Sequence, residues 1–150
     1  MENDKSIDVL NSLITINNDR IEGYKTAIEE TEDQDLITMF NHCMETSQEC
    51  KSELVAEVNG LGGEPEDGTR IDGKIYRAWM DFKSLLTGKD RKAILNSCEY
   101  GEDVAVHTYE RAMKDADLSS AHNSIVSAQY AKIKADHDKV RNMRDAAVEA

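Results

Sequence analysis

The chain has no long apolar run, and it begins with the polar sequence MENDKSID. The sequence therefore predicts neither a signal peptide nor a transmembrane span. Pro65 is its single proline, and aromatic residues make up only 5% of the chain. With 39% hydrophobic and 32% charged residues, this composition is typical of a soluble, mostly helical protein. A length of 150 residues fits one domain with a hydrophobic core.

Basic residues are in the minority, since 18 lysines and arginines face 30 aspartates and glutamates, for a formal net charge of -12. A surface of that sign repels the phosphates of nucleic acids and of anionic lipids. We therefore expect neither nucleic acid nor a membrane among the partners. The glycine-rich stretch GLGGEPEDG lacks the lysine of a phosphate-binding loop, and no nucleophile–base arrangement stands out.

Cysteine is sparse and odd in number, with Cys43, Cys50 and Cys98. Without a secretion signal, this count predicts reduced thiols in the cytoplasm. Cys43 and Cys50 share one predicted helix and lie about 10 Å apart along its axis, so they cannot pair while that helix is intact. We expect all three thiols in the core, where apolar surroundings make a thiol inert.

Four long amphipathic helices are predicted from apolar residues that recur in steps of three and four. In the first helix this stripe includes Ile14, Ile21 and Tyr24, with Asn17 among them. Asp33 is the predicted N-cap of the second helix, which the glycines before Pro65 bring to an end. The four predicted helices span residues 6–30, 34–59, 90–115 and 120–147.

The link between the second and third helices is about 30 residues long, enough to run the length of a bundle. Within it, residues 71–86 predict a short amphipathic helix whose apolar face carries Trp79 and Phe82. Sealing one edge of the bundle is the simpler role for that face, and a partner groove is the alternative. Because the other links are short, we expect two antiparallel hairpins joined by this crossover, the arrangement of a ferritin-like four-helix bundle.

A weak internal repeat agrees with two related hairpins. The sequence YKTAIEETEDQDL, from residue 24, resembles YERAMKDADL, from residue 109. The alignment matches Tyr24 with Tyr109 and Asn17 with Glu102.

Four longer stretches resemble a known family: INNDRIEGYKTAIEET, SELVAEVNGLGGEPEDGT, RAWMDFKSLLTGKDRKAILNSCEYGED and ADHDKVRNMRD. They resemble an uncharacterised bacterial family of ferritin-like four-helix bundles that carries only a domain-of-unknown-function label. The resemblance covers nearly the whole chain. It implies a ferritin-like bundle and no established activity.

Several polar residues fall on the predicted inner helix faces, where each residue turns the helix by about 100°. Asn17, Glu102, Gln129 and His137 point inward by this rule. Glu22 and Glu99 lie at the edges of their stripes, while Asp19 and Arg20 are expected to face water. The sequence therefore predicts that the first helix contributes one inward polar residue, Asn17, which fixes the helix register.

Ferritin-like di-iron bundles use carboxylates from two helices and a Glu-x-x-His pair from each of the other two. This chain has no Glu-x-x-His, which argues against a complete di-iron centre. A reduced iron or manganese site from Glu22, Glu99, Glu102 and His137 remains a hypothesis. The simpler hypothesis is that Glu102 and His137 hydrogen-bond to each other, with Gln129 or a buried water.

Three functions follow from these patterns. The first is a non-catalytic bundle with a structural or stress-related interaction role, for which a homodimer is one option and no particular cofactor is predicted. The second is a protein that binds or stores iron or manganese at the reduced site. The third is a thiol-based redox sensor that uses Cys98.

Overall fold

The computed structural model describes residues 2–66 and 91–149. Those residues form four α-helices and no strand, which confirms the all-α four-helix prediction. The predicted crossover helix at 71–86, with Trp79 and Phe82, lies outside the described residues. The helices are α1 (Glu2–Glu30), α2 (Gln34–Gly60), α3 (Arg91–Met113) and α4 (Ser120–Glu149).

The end of α2 is fixed by two glycines. Gly62 has a φ of 80°, a left-handed conformation that favours glycine. The N–H groups of Gly62 and Gly63 donate to the carbonyls of Asn59 and Val58, so carbonyls of the last helical turn are satisfied. A Cβ at Gly63 would lie 2.8 Å from Cδ1 of Ile7, so a larger residue would force the Ile7 side chain or this turn to move.

The chain after α2 is tied to α1 by the side chain of Asn11. Its amide nitrogen donates to the carbonyl of Glu64 at 3.0 Å, and its oxygen accepts from the N–H of Glu66 at 2.8 Å. One side chain therefore satisfies two backbone groups of the loop and holds the loop against the first helix.

Each helix packs mainly against two others: α1 against α2 and α3, and α4 against α3 and α2. Partners along α1 and α3 run in opposite sequence order, since Asn17 contacts Tyr109 and Arg20 contacts Glu102. The order continues past the end of α3, where Ser6 donates to the carbonyl of Asp117. Apolar side chains from all four helices fill the space between them. The fully buried ones include Leu10, Leu13, Ile14, Tyr24, Leu36, Phe40, Leu54, Val58, Ile94, Leu95, Tyr109, Val126, Ile133 and Val140.

At one end of the bundle, an exposed ion-pair cluster joins the starts of α2 and α3. Arg91 lies 3.1 Å from an oxygen of Asp33 and 2.6 Å from one of Asp35. The hydrogen bonds from Arg91 lower the pKa of Asp35. Because these groups are well exposed, we expect the pairs to orient the helix ends more than to stabilise the fold.

Along α1, the predicted division into an inner and an outer face is wrong between residues 13 and 20. All eight side chains there are buried, including Asp19 and Arg20, which were expected in water. The helical-wheel argument assumes one solvent-facing side, and α1 has none over these two turns. Ile21, placed in the core by the apolar stripe, is only half-buried, and Arg20 lies deeper than it does.

Within the described residues, none of the helices has the length and apolar character that a membrane span requires.

Candidate functional site

The polar centre of the bundle is built around Arg20. Its Nε donates to Oε1 of Glu102 at 2.8 Å, and one terminal nitrogen donates to Oγ of Ser47 at 2.5 Å. The other terminal nitrogen lies 2.7 Å from the same oxygen of Glu102 and 3.4 Å from Oδ2 of Asp136. Arg20 thus joins α1 to the other three helices, and none of its surface is exposed. We call Arg20, Ser47, Glu102 and Asp136 the central network.

The charges of the central network stabilise one another in a site closed to water. Burial by itself would lower the pKa of Arg20, but the negative charge of Glu102 raises it well above its usual value, so the guanidinium stays charged. Burial raises the pKa of Glu102, although Arg20 opposes that shift. Burying an unpaired ion at this position would lower the stability of the fold by several kcal/mol. The folded chain therefore depends on the pairing of Arg20 with its carboxylates.

The central network reaches the surface through one histidine. Nε2 of His42 lies 3.1 Å from Oδ1 of Asp136, and the His42 side chain is 52% exposed. The ring therefore covers a buried carboxylate while most of its own surface faces water. Asp136 is therefore bonded from the inside by Arg20 and from the outside by His42.

Tyr24 supplies a further hydrogen bond to Glu102. Its hydroxyl donates to Oε1 at 2.5 Å, and burial raises the pKa of the phenol well above its usual value, so it acts as a neutral donor. The ring of Tyr24 packs on Phe40, with 5.5 Å between centroids. Among the described residues, Oε2 of Glu102 has no hydrogen-bond partner. The contacts of Glu102 with Arg20 and Tyr24 are therefore all made by Oε1.

A second buried chain of hydrogen bonds begins at Asn17, about one turn nearer the start of α1 than Arg20. Nδ2 of Asn17 donates to the hydroxyl of Tyr109 at 2.9 Å, and that hydroxyl donates to Oε1 of Gln129 at 2.7 Å. Gln129 in turn donates to the carbonyl of Cys50 at 3.1 Å and to Glu53 at 2.7 Å. Asn17 is buried as predicted, and its bond to α3 restricts how the two helices can slide.

Tyr24 and Tyr109, which the internal repeat aligns with each other, make similar hydrogen bonds between α1 and α3. Tyr24 on α1 bonds Glu102 on α3, and Tyr109 on α3 bonds Asn17 on α1. The sequence alignment matched Tyr24 with Tyr109 and Asn17 with Glu102. The matched residues therefore make reciprocal contacts between α1 and α3, as an approximate two-fold relation between two helix pairs would produce.

A third polar group, the seam cluster, lies between α3 and α4 and consists of Glu99, Asp103 and His137. One ligand atom from each residue lies within 4.8 Å of the other two. Nε2 of His137 is 2.5 Å from Oδ1 of Asp103, and Nδ1 is 3.0 Å from Oδ1 of Asp138. Glu99 is paired with the guanidinium of Arg144. His137 is buried, while Glu99 and Asp103 are half-buried.

The four residues predicted as metal ligands do not come together. Glu22 is exposed, and Glu102 belongs to the central network. Glu99 and His137 do meet, in the seam cluster. The predicted hydrogen bond between Glu102 and His137 is wrong, because in the described structure Glu102 bonds Arg20 and Tyr24 while His137 bonds two aspartates.

Sequence reasoning missed Asp103 of the seam cluster and Arg20 of the central network. Asp103 carries a signal that could have been found, since it lies four residues after Glu99 and therefore on the same helix face. The signal for Arg20 is weaker. It lies three residues after Asn17 and four before Tyr24, and both of these residues were predicted to point inward. A charged residue at such a spacing is normally assigned to solvent, and its anionic partners lie 82 and 116 residues further along the chain.

All three cysteines are free and buried, as expected. Burial raises the pKa of Cys50 to about 11, and it raises those of Cys43 and Cys98 further. The reactive thiolate form is therefore rare at neutral pH in the folded chain.

The fold and these polar groups define an all-α helical-bundle protein with buried ionic and hydrogen-bonded networks between its helices. Residues 5–115 match the model of a family described as a domain of unknown function, DUF2383. That match covers well over half of the chain, so the chain belongs to this family. The predicted resemblance to a family of unknown function is thereby confirmed. A search of curated proteins finds no match to the chain.

Proposed function

We propose that the protein is a non-catalytic helical bundle with a structural role, whose centre is an arginine-based ion network. The observation that carries this proposal is the complete burial of Arg20 between Glu102 and Asp136. In a di-iron bundle, inward carboxylates are neutralised by metal ions. In this chain the guanidinium of Arg20 already pairs with both carboxylates, and its positive charge would repel a cation brought to the same place.

A ferritin-like architecture is part of this proposal. It is supported by the opposite order of contacts between α1 and α3 and by reciprocal tyrosine contacts. Arg91 near the start of α3 pairs with Asp35 near the start of α2, which favours a parallel course for these two helices. Parallel α2 and α3 need a long crossover, so we propose one domain of two antiparallel hairpins.

We further propose a cytoplasmic location, as an environment that keeps the three thiols reduced. A homodimer stays part of the proposal, and the net charge of -12 argues against nucleic acid or anionic membranes as partners. A redox-sensor role for Cys98 is the least supported of the three functions, because burial raises the pKa of its thiol.

Cation binding is the second candidate function, and the seam cluster favours it over the predicted four-residue site. If the centre is purely structural, Glu22→Gln and Glu102→Gln should leave the amount of bound iron(II) or manganese(II) unchanged. We would titrate each ion anaerobically into wild type and both variants, after confirming their helical content by circular dichroism. Loss of a bound ion in Glu102→Gln, with the helical content intact, would contradict the structural role of the centre.

A further inference from the structure

The seam cluster presents the ligand set of a transition-metal ion. Glu99 and Asp103 lie one turn apart on α3, and His137 faces them from α4, with ligand atoms within 4.8 Å of one another. We propose that these three side chains bind one divalent first-row transition-metal ion, with zinc or iron(II) bound more tightly than magnesium. This inference rests on the second candidate function, cation binding, and assigns it to residues outside the central network.

The combination of one imidazole nitrogen and two carboxylates determines which ion is favoured. Imidazole suits zinc and iron, whereas magnesium prefers oxygen ligands and keeps most of its water. Three protein ligands leave further coordination positions open to water or to a small anion. Asp103 is 49% exposed, so an ion can reach the site without any opening of the helices.

Asp138 orients the histidine for metal binding. Its Oδ1 lies 3.0 Å from Nδ1 of His137, and Lys134 bonds the same oxygen at 2.9 Å. Nε2 lies 2.5 Å from Oδ1 of Asp103, so a metal ion bound here would replace the proton between these two atoms, while the Nδ1 proton stays on the bond to Asp138. Metal-binding histidines commonly have a carboxylate on the second nitrogen, which fixes the ring and increases its basicity.

Arg144 competes with the metal for Glu99. Its guanidinium is paired with Oε2 of Glu99, and another nitrogen of the same group is 2.8 Å from Oδ1 of Asp145. Arg144 can therefore release Glu99 and keep a carboxylate partner. An arriving ion would replace one positive charge by another at Glu99, so Arg144 weakens binding without abolishing it.

The test is calorimetric titration of zinc into the untagged, metal-free full chain. We expect one zinc ion per chain in wild type and no measurable binding at the same concentrations in His137→Gln or Asp103→Asn. Asp138→Asn should weaken binding by roughly 10–100-fold, as changes to a residue that orients a ligand typically do. Arg144→Gln should bind more tightly than wild type because the competitor is gone. Magnesium should give no binding at these concentrations.

His122→Ala is the matched control on the same helix. His122 lies 3.6 Å from Glu57, but no third ligand joins this pair in the described part of the chain, so its variant should bind zinc like wild type. Absence of zinc binding in wild type, or equal affinity in wild type and Asp103→Asn, would overturn the site. Neither result would affect the structural role of the centre, which the Glu102→Gln titration addresses separately.

Discussion

Arg20→Met should lower the free energy of unfolding by about 3–5 kcal/mol, the usual cost of removing one partner of a buried ion pair. The substitution removes the cation that faces Glu102 and Asp136, and both carboxylates stay buried. Loss of the positive charge also raises the pKa of Glu102 further. The penalty should therefore be largest at alkaline pH, where Glu102 would be ionised, and should shrink as acid protonates it.

The double variant Arg20→Met/Glu102→Gln separates the ion pair from simple loss of packing. The amide introduced by Glu102→Gln would keep an oxygen for the Tyr24 hydroxyl while carrying no charge, and Asp136 would keep its contact with His42. We expect the double variant to be more stable than Arg20→Met alone, with a coupling energy of about 1.5–3 kcal/mol. Urea unfolding of the four forms measures it.

Arg141→Met is the control for loss of an arginine at the surface. Arg141 is 45% exposed and lies 3.5 Å from Asp138, so its removal should change stability by no more than about 0.5 kcal/mol. Equal effects of the two arginine substitutions would contradict the central network.

Tyr24→Phe should cost about 1.5–3 kcal/mol, because it removes a hydrogen bond to a charged group. Tyr109→Phe is its matched partner in the repeat and loses two bonds to neutral amide groups, at about 0.5–1.5 kcal/mol each. The two costs overlap in size, so the pH dependence distinguishes them.

The pH dependence of Tyr24→Phe follows from Glu102. Because the native pKa of Glu102 is raised, its protonation stabilises the fold fully below the ordinary value of 4.5, and this stabilisation is lost as pH rises through the native pKa. The Tyr24 hydrogen bond opposes that rise, so Tyr24→Phe should be more costly at mildly alkaline pH than at acid pH. The cost of Tyr109→Phe should stay level over the same range. Parallel curves for both variants would contradict the assigned contacts.

The four helices could be predicted from the sequence because each carries a long apolar stripe and clear end signals. Helix α2, for example, ends at Gly60, immediately before the turn at Gly62. The inward direction of Glu102, Gln129 and His137 also followed from periodicity, since their own apolar neighbours define the face. For these residues the local pattern and the tertiary packing agree.

The partners of the inward residues could not be predicted, because hydrogen bonds between helices depend on relative height and rotation. Arg20 shows the limit most clearly. Hydrophobic periodicity predicts that Ile21 lies in the core and that Arg20 is exposed to solvent, since burying an isolated charge is costly. That cost is offset only by Glu102, Ser47 and Asp136, which come from three other helices. The repeat did single out four residues that bond between α1 and α3. It aligned the two tyrosines with each other, whereas in the structure Tyr24 bonds Glu102 and Tyr109 bonds Asn17.

The central claim, that Arg20 is a charged and enclosed ion bonded to Glu102, can be measured by hydrogen exchange of its Nε–H proton in nuclear magnetic resonance spectra. We predict that this proton exchanges orders of magnitude more slowly than that of exposed Arg141, because its release requires opening of the bundle. Its signal should persist at mildly alkaline pH, where that of Arg141 is lost. Exchange of both protons at similar rates would show that water reaches Arg20 and would contradict the account.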